Sequence, residues 1–184
     1  MQVSTLIREA KHGSAAAQKC LFDLCAPKMM LVCRRYVKSA EDAEEVLLDG
    51  FYKIFRALPQ FRYEGDDAFH GWIKQIMVNE CLMLIRKRSP FTVISETAAE
   101  EIPFPAEVFS TMSASEILLL VIQLPIGYRT VFNLHAIEGF THPEIATMLG
   151  IKEGTSRSQL AKAKQLLQKM ILINQPGYGS QQSK

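Results

Sequence analysis

Apolar residues recur along this chain at the spacing of helices rather than strands. Leu47, Phe51, Ile54, Phe55 and Leu58 lie on one side of a 3.6-residue repeat, and Pro59 marks where that helix must stop. Phe69, Trp72, Ile73 and Ile76 fall at i, i+3, i+4 and i+7 and make a second stripe. Leu160, Ala163, Leu167 and Met170 make a third, at i, i+3, i+7 and i+10, expected to face inward. No alternating β-branched runs flank an Asn-Gly or Asp-Gly turn. The pattern predicts an all-α protein.

The most informative segment is Gly139–Gln168, GFTHPEIATMLGIKEGTSRSQLAKAKQLLQ. Thr141-His142-Pro143-Glu144 has the form of a capping box, with proline in the first turn, where its missing N–H costs nothing. His142 is read simply as a first-turn residue. Ile145, Met148 and Leu149 give the helix an apolar face, small Ala146 permits close approach of a second helix, and Gly150 supplies the left-handed stop. A short turn through Lys152-Glu153-Gly154 leads into the third stripe. This is a helix-turn-helix. On its second helix Thr155, Ser158, Lys162, Gln165 and Lys169 are expected to point away from the stripe, with Arg157 and Lys164 toward its flanks. Five basic residues and one acidic residue lie between Lys152 and Lys169. Lys and Arg neutralise phosphates, and Ser, Thr and Gln reach base edges in a major groove. The same pattern also suits a solvated helix in a bundle.

Net charge is only +2, but it is unevenly placed. Residues 1–90 carry +3, residues 91–116 carry −5 with no basic residue, and residues 117–184 carry +4. The acidic stretch, with Pro103 and Pro105, reads as a linker, because prolines remove donors and unbalanced carboxylates repel. The expected organisation is therefore two small helical domains joined by an acidic flexible linker. They are an N-terminal domain at 1–90, the linker at 91–113, a helix-turn-helix domain at 114–173 and a flexible tail at 174–184.

In the N-terminal block Asp42, Glu45 and Asp49 lie at i, i+3 and i+7, so three carboxylates share a helix face. Carboxylates at a helix start suit its dipole; a docking surface for a basic partner is the sharper use. Residues 69–88 form a helix ending in Arg86-Lys87-Arg88. Before it stands an aromatic, polar loop, Phe61-Arg62-Tyr63-Glu64-Gly65-Asp66-Asp67. Rings stack on unpaired bases while basic groups hold the backbone, so a strand-opening surface is plausible there. Phe69 and Trp72, at core spacing, are assigned to packing.

Composition narrows the classes further. With 48% hydrophobic and 22% charged residues the chain is globular rather than disordered. Its longest apolar run, Ile117–Ile122, is far short of the roughly 20 residues that span a bilayer. The N-terminal residues lack the form of a secretory signal, so a cytoplasmic protein is expected. Cys20, Cys25, Cys33 and Cys81 show no CxxC pair, which predicts buried thiols rather than a metal or redox site. Four scattered histidines, no GxSxG and no phosphate-binding glycine loop argue against an enzyme. No catalytic residue, cofactor, metal or small-molecule substrate is expected.

Taken together, the blocks resemble the extracytoplasmic-function sigma factors, small initiation subunits of bacterial RNA polymerase in the sigma-70 family. EDAEEVLLDGFYKIFRAL resembles the family's polymerase-docking helix, and FHGWIKQIMVNECLMLIRKR its minus-ten helix. IQLPIGYRTVFNLHAIEGFTHPEIATMLGIKEGTSRSQLAKAKQLL resembles its minus-thirty-five domain. The similarity runs through nearly all of residues 5–170. It implies core RNA polymerase (beta and beta-prime subunits) and promoter DNA as partners, with an anti-sigma factor as a further candidate. Polymerase binding then falls to Asp42, Glu45, Leu48, Asp49, Phe51 and Phe55. Minus-ten DNA contact falls to Arg62, Tyr63, Lys74, Asn79, Arg86, Lys87 and Arg88. Minus-thirty-five contact falls to Lys152, Thr155, Ser156, Arg157, Ser158, Gln159, Lys162 and Lys164.

The chain departs from the family at several positions. Leu48 stands at a usual glutamine, Met83 at a usual aspartate, Ser156 at a usual valine and Gln159 at a usual arginine. Lys152 occupies the usual serine N-cap and cannot accept a capping bond, so a frayed or water-capped helix start is expected, at a cost of about 1 kcal/mol. The alternative function is a helix-turn-helix regulator that binds duplex DNA without polymerase.

Overall fold

Serine hydroxyls set where two of the N-terminal helices begin. In a computed structural model, which describes residues 2–88 and 113–174, α1 runs Val3–Lys11 and α2 runs Ala15–Tyr36. The Ser14 hydroxyl accepts from the Ala17 amide at 3.3 Å and starts α2. Ser39 does the same for α3 (Ala40–Ala57), accepting from the Asp42 amide at 3.2 Å. Pro59 ends α3 as expected, inside a 3₁₀ turn at Leu58–Gln60, and α4 follows at Asp66–Arg88.

These helices enclose one core. Leu21, Cys25, Met29 and Cys33 come from α2, Val46, Phe51 and Ile54 from α3, and Phe69, Ile73, Met77 and Cys81 from α4; all are buried. Gly50 lets α3 and α4 close on each other, since a Cβ there would meet the Met77 sulfur at 2.3 Å. Cys25, Cys33 and Cys81 are buried free thiols, whereas Cys20 is exposed, contrary to the expectation for all four. Its position one residue before buried Leu21 turns it off the core face. The neighbouring Cys33 thiol, together with burial, holds Cys81 well above the ordinary thiol range.

The chain divides into two units, Met1–Arg88 and Ser89–Lys184. In the second, α5 (Ala114–Gln123) opens on a capping box: the Glu116 amide donates to the Ser113 hydroxyl at 3.3 Å, and the Ser113 amide donates to Glu116 Oε2 at 2.8 Å. The Ser113 hydroxyl and amide hold the Glu116 carboxyl below its ordinary pKa. α6 (Ile126–Phe132) widens into a π-helical turn at Asn133–Ile137; α7 covers His142–Leu149 and α8 Glu153–Asn174.

Leu124, Val131, Leu134, Ile145, Ala163 and Leu167 fill this second core. The inward stripe of α8 ends on Ile171, which is buried; Met170 is only half-buried. Adding one more residue to the stripe compensates the drift of a 3.6-residue helix. Arg129 is also buried, its Nη1 donating to the Ile122 carbonyl at 2.9 Å and to that of Leu124 at 3.5 Å. It satisfies the carbonyls left open at the end of α5, and burial lowers its guanidinium pKa from the ordinary value. All described regular elements are helical, and among the described residues no helix is long and apolar enough to cross a membrane. The linker at 91–113, apart from Ser113, and the tail from 175 onward lie outside the described residues.

Candidate functional site

Three surfaces carry the residues singled out in the sequence. The first is the outer side of α3. Glu45, Leu48 and Asp49 are exposed there, with Leu48 59% accessible, and Tyr52 extends the patch one turn on. Phe51 is not part of this surface. It is 4% accessible and packs edge-on against Phe22, with ring centroids 4.7 Å apart. Phe51 shares the apolar stripe with Leu47 and Ile54 and is covered by Phe22 of α2, which corrects its expected contact with polymerase. Phe55 is half-buried beside it, 5.9 Å between centroids.

The second surface is α4 with the loop before it. Asn79, Met83 and Arg86, at i, i+4 and i+7, share an exposed face. Gln75 donates to Asn79 Oδ1 at 3.4 Å, and Arg86 Nε donates to the Leu82 carbonyl at 3.3 Å. Lys74 is half-buried and turned off that face. Arg62 is exposed and pairs with Glu64 at 3.5 Å. Tyr63 donates to Asp66 Oδ1 at 2.5 Å, a bond that raises its phenol pKa. Phe61 stacks on Trp72 with centroids 4.4 Å apart, and Lys11 donates to the Phe61 carbonyl. Trp72 therefore joins the core to the loop rather than sitting wholly inside. Lys87 is exposed, but Arg88 turns the other way, pairing with Asp42 and reaching Glu45 at 4.0 Å. Two groups assigned to different surfaces thus meet between α3 and α4. Sequence reasoning also missed Lys53, which donates to both Glu80 oxygens at 2.7 Å and neutralises a nearly buried carboxylate.

The third surface is the helix-turn-helix. The Thr141 amide and hydroxyl donate to Glu144 Oε2 at 2.8 and 2.6 Å, so the capping box forms as expected, and these bonds lower the Glu144 pKa. Gly150 sits at φ 66°, in the left-handed region. α8 starts directly after Lys152, whose carbonyl accepts the Ser156 amide at 3.1 Å. Arg157 Nη2 donates to Glu153 Oε1 at 2.5 Å and ties the first turn together. Lys152 and Arg157 are exposed, while Ser158, Lys162 and Lys164 are half-buried.

Thr155, Ser156 and Gln159 lie inside the unit, at 3%, 0% and 4% accessible. Their expected outward orientation is thereby corrected: α8 packs two sides of its first turns, against α6 and α7, instead of one. Gln159 rests on Gly127, where a Cβ would come within 3.0 Å of its Oε1. Ser156 Oγ lies 2.9 Å from His142 Nδ1, and the His142 ring stacks on His135 at 4.5 Å with planes 11° apart. Neither histidine was singled out; the signal available was a serine where an apolar residue would be ordinary.

Comparison with known proteins agrees with this layout. Residues 21–91 match the Sigma-70 region 2 family model and residues 114–167 the Sigma-70 region 4 model. The chain is similar to the RNA polymerase sigma-H factor of Pseudomonas aeruginosa, 28% identical over 184 residues, covering 92% of this chain and 94% of that one. It is similar to the ECF RNA polymerase sigma-E factor of Escherichia coli K12, 27% identical over 179 residues, covering 90% and 92%. In fold it resembles CnrH, solved in complex with the cytosolic domain of CnrY, with TM-score 0.51, 21% identity and coverage of 93% and 97%.

Proposed function

Because the chain belongs to the extracytoplasmic-function branch of the sigma-70 family and directs RNA polymerase to promoters, we propose how its surfaces divide that work. The outer side of α3, with Glu45, Leu48, Asp49 and Asp42 at its edge, docks on the basic clamp of core polymerase. Exposed carboxylates speed and orient encounter with a basic partner, and an exposed leucine gives it apolar area to cover. The Asn79–Met83–Arg86 face of α4 with Lys87, and Arg62 and Tyr63 in the loop before the helix, meet the minus-ten element. Lys152, Arg157, Ser158, Lys162 and Lys164 on the α8 side meet the minus-thirty-five element, the cations on phosphates and Ser158 nearer the bases.

Buried Thr155, Ser156 and Gln159 shape that helix rather than touch DNA, and Phe51 holds α3 in place rather than touching polymerase. Residues 91–113 serve as the tether between the two units. The protein performs no chemistry of its own. CnrH was solved with the cytosolic domain of CnrY, and an inhibitory partner covering the polymerase-facing surface of this chain belongs to the same proposal.

The observation that carries this reading is the ordered presence of region 2 and region 4 in one chain. It favours a polymerase subunit over a regulator that needs only duplex DNA. The test is reconstitution with core polymerase from the source organism on genomic templates. Defined transcripts that require the added protein are expected; failure to bind core at low salt would overturn the assignment.

A further inference from the structure

We infer that His142 is a positioning residue for the DNA-facing helix, and that it makes upstream promoter binding proton-linked: the domain takes up a proton as α8 engages phosphates. The inference rests on the proposed DNA-binding role of Arg157 and Lys164.

The geometry begins with the stack. His135 leaves the π-helical turn, and its Nδ1 lies 2.8 Å from the Phe140 carbonyl. A carbonyl only accepts, so this nitrogen carries a proton. His142 lies parallel to it at 4.5 Å, in the first turn of α7, with Nδ1 2.9 Å from the buried Ser156 hydroxyl of α8. One side chain therefore links three elements, and the link ends on the first turn of the helix that faces DNA. Two cationic imidazoles at this separation repel, and the start of α7 disfavours positive charge.

The charges around His142 are few. His135 acts from the π-helical turn, Arg157, Lys164 and Glu153 act from α8, and Glu144 shares its own helix, bonded to Thr141. Burial, His135, Arg157 and Lys164 hold its imidazole below the usual histidine range, with Glu153 opposing. Three of those groups are basic, which disfavours a metal cation and suits an anion. Burial and His135 contribute most to keeping His142 neutral; a phosphate that neutralises Arg157 or Lys164 removes the part that α8 adds. Proton uptake on binding follows, and by linkage affinity rises as pH falls through the histidine range. A purely structural His142 would leave the pH profile of binding the same when it is replaced.

The experiment uses the full chain bound to core polymerase and a fluorescent promoter duplex, at constant salt from pH 8 to pH 6. The wild type should bind roughly threefold to tenfold tighter at the acidic end, within the roughly hundredfold that one fully linked proton allows over two pH units. His142→Asn, which keeps a hydrogen-bonding side chain toward Ser156, should lose that rise and retain binding at pH 8. Equal pH slopes in the two proteins would overturn the inference while leaving the promoter-binding proposal standing. Absence of promoter preference at every pH would instead defeat that underlying proposal. Should the variant fold poorly, proton NMR titration of the wild-type histidines in the full chain decides: the His142 midpoint should move up when duplex is added, and an unmoved midpoint refutes the linkage.

Discussion

The two helical units treat their polar residues differently. On α3 and α4 most of the singled-out polar residues stand at the surface, as Glu45, Asp49, Asn79, Arg86 and Lys87 do. On α8 three of the seven singled out, Thr155, Ser156 and Gln159, are inside. The difference lies in chemistry more than in helical position. A full charge on a long side chain is costly to bury without a partner, so its exposure is readable from the residue alone. A short hydroxyl goes inside cheaply once one neighbour satisfies it, as His142 does for Ser156. The N-terminal unit makes the converse point with Phe51 and Leu48: both are apolar and three residues apart, yet one is core and the other surface.

That contrast can be broken experimentally. The largest effect is expected from Phe51→Ala, which should cost the N-terminal unit about 3–5 kcal/mol, measured by denaturant unfolding. Leu48→Ala should change stability by no more than about 0.5 kcal/mol while weakening polymerase binding; similar unfolding losses for the two would contradict their assigned places. Next, Asp49→Lys should lower affinity for core polymerase by about tenfold or more with helical content unchanged, since a like charge would then face the basic partner. Retained affinity would remove α3 from the docking surface.

Smaller effects are expected in the C-terminal unit. Ser156→Ala should cost about 1 kcal/mol of stability, because it strips the hydroxyl partner from His142; no loss would mean the contact is energetically idle. Acid should act through the same histidine. Its pKa is lower in the folded chain than the unfolded 6.5, so the unfolded chain takes up the proton first. The stability it contributes is complete above about pH 6.5 and is lost as pH falls through the lower folded value. Thermal unfolding of the wild type and His142→Asn across that window should converge at low pH. Last, replacing Lys162 and Lys164 with glutamine should weaken promoter binding across sequences. It should also reduce the slope of log K against log salt by roughly two, about 0.9 per phosphate contact. An unchanged slope would argue against phosphate contact there.

Much was legible beforehand because it is local. The helical stripes, the stop at Pro59, the capping box at Thr141–Glu144 and the left-handed Gly150 each depend on residues within one or two turns. Less legible were the pairings between elements. Arg88 lies 46 residues from Asp42 and Lys53 lies 27 from Glu80, and nothing in the spacing announces either ion pair. The basic end of α4 therefore looked uniform in the sequence, while in the fold Arg88 faces α3 and Arg86 faces outward.

The sequence alone determined the class of the protein, the existence of its helices and the helix-turn-helix, since periodicity, caps and punctuation are properties of neighbouring residues. Only the tertiary structure decided which side of each helix is a surface. A helix exposes whatever its neighbours leave uncovered, and α8 is covered from two directions by α6 and α7. That geometry turned Ser156 and Gln159 inward and brought His142 over His135, just as α2 packing on α3 in the other unit covered Phe51, because burial is fixed by the distance between elements and not by the order of residues within one.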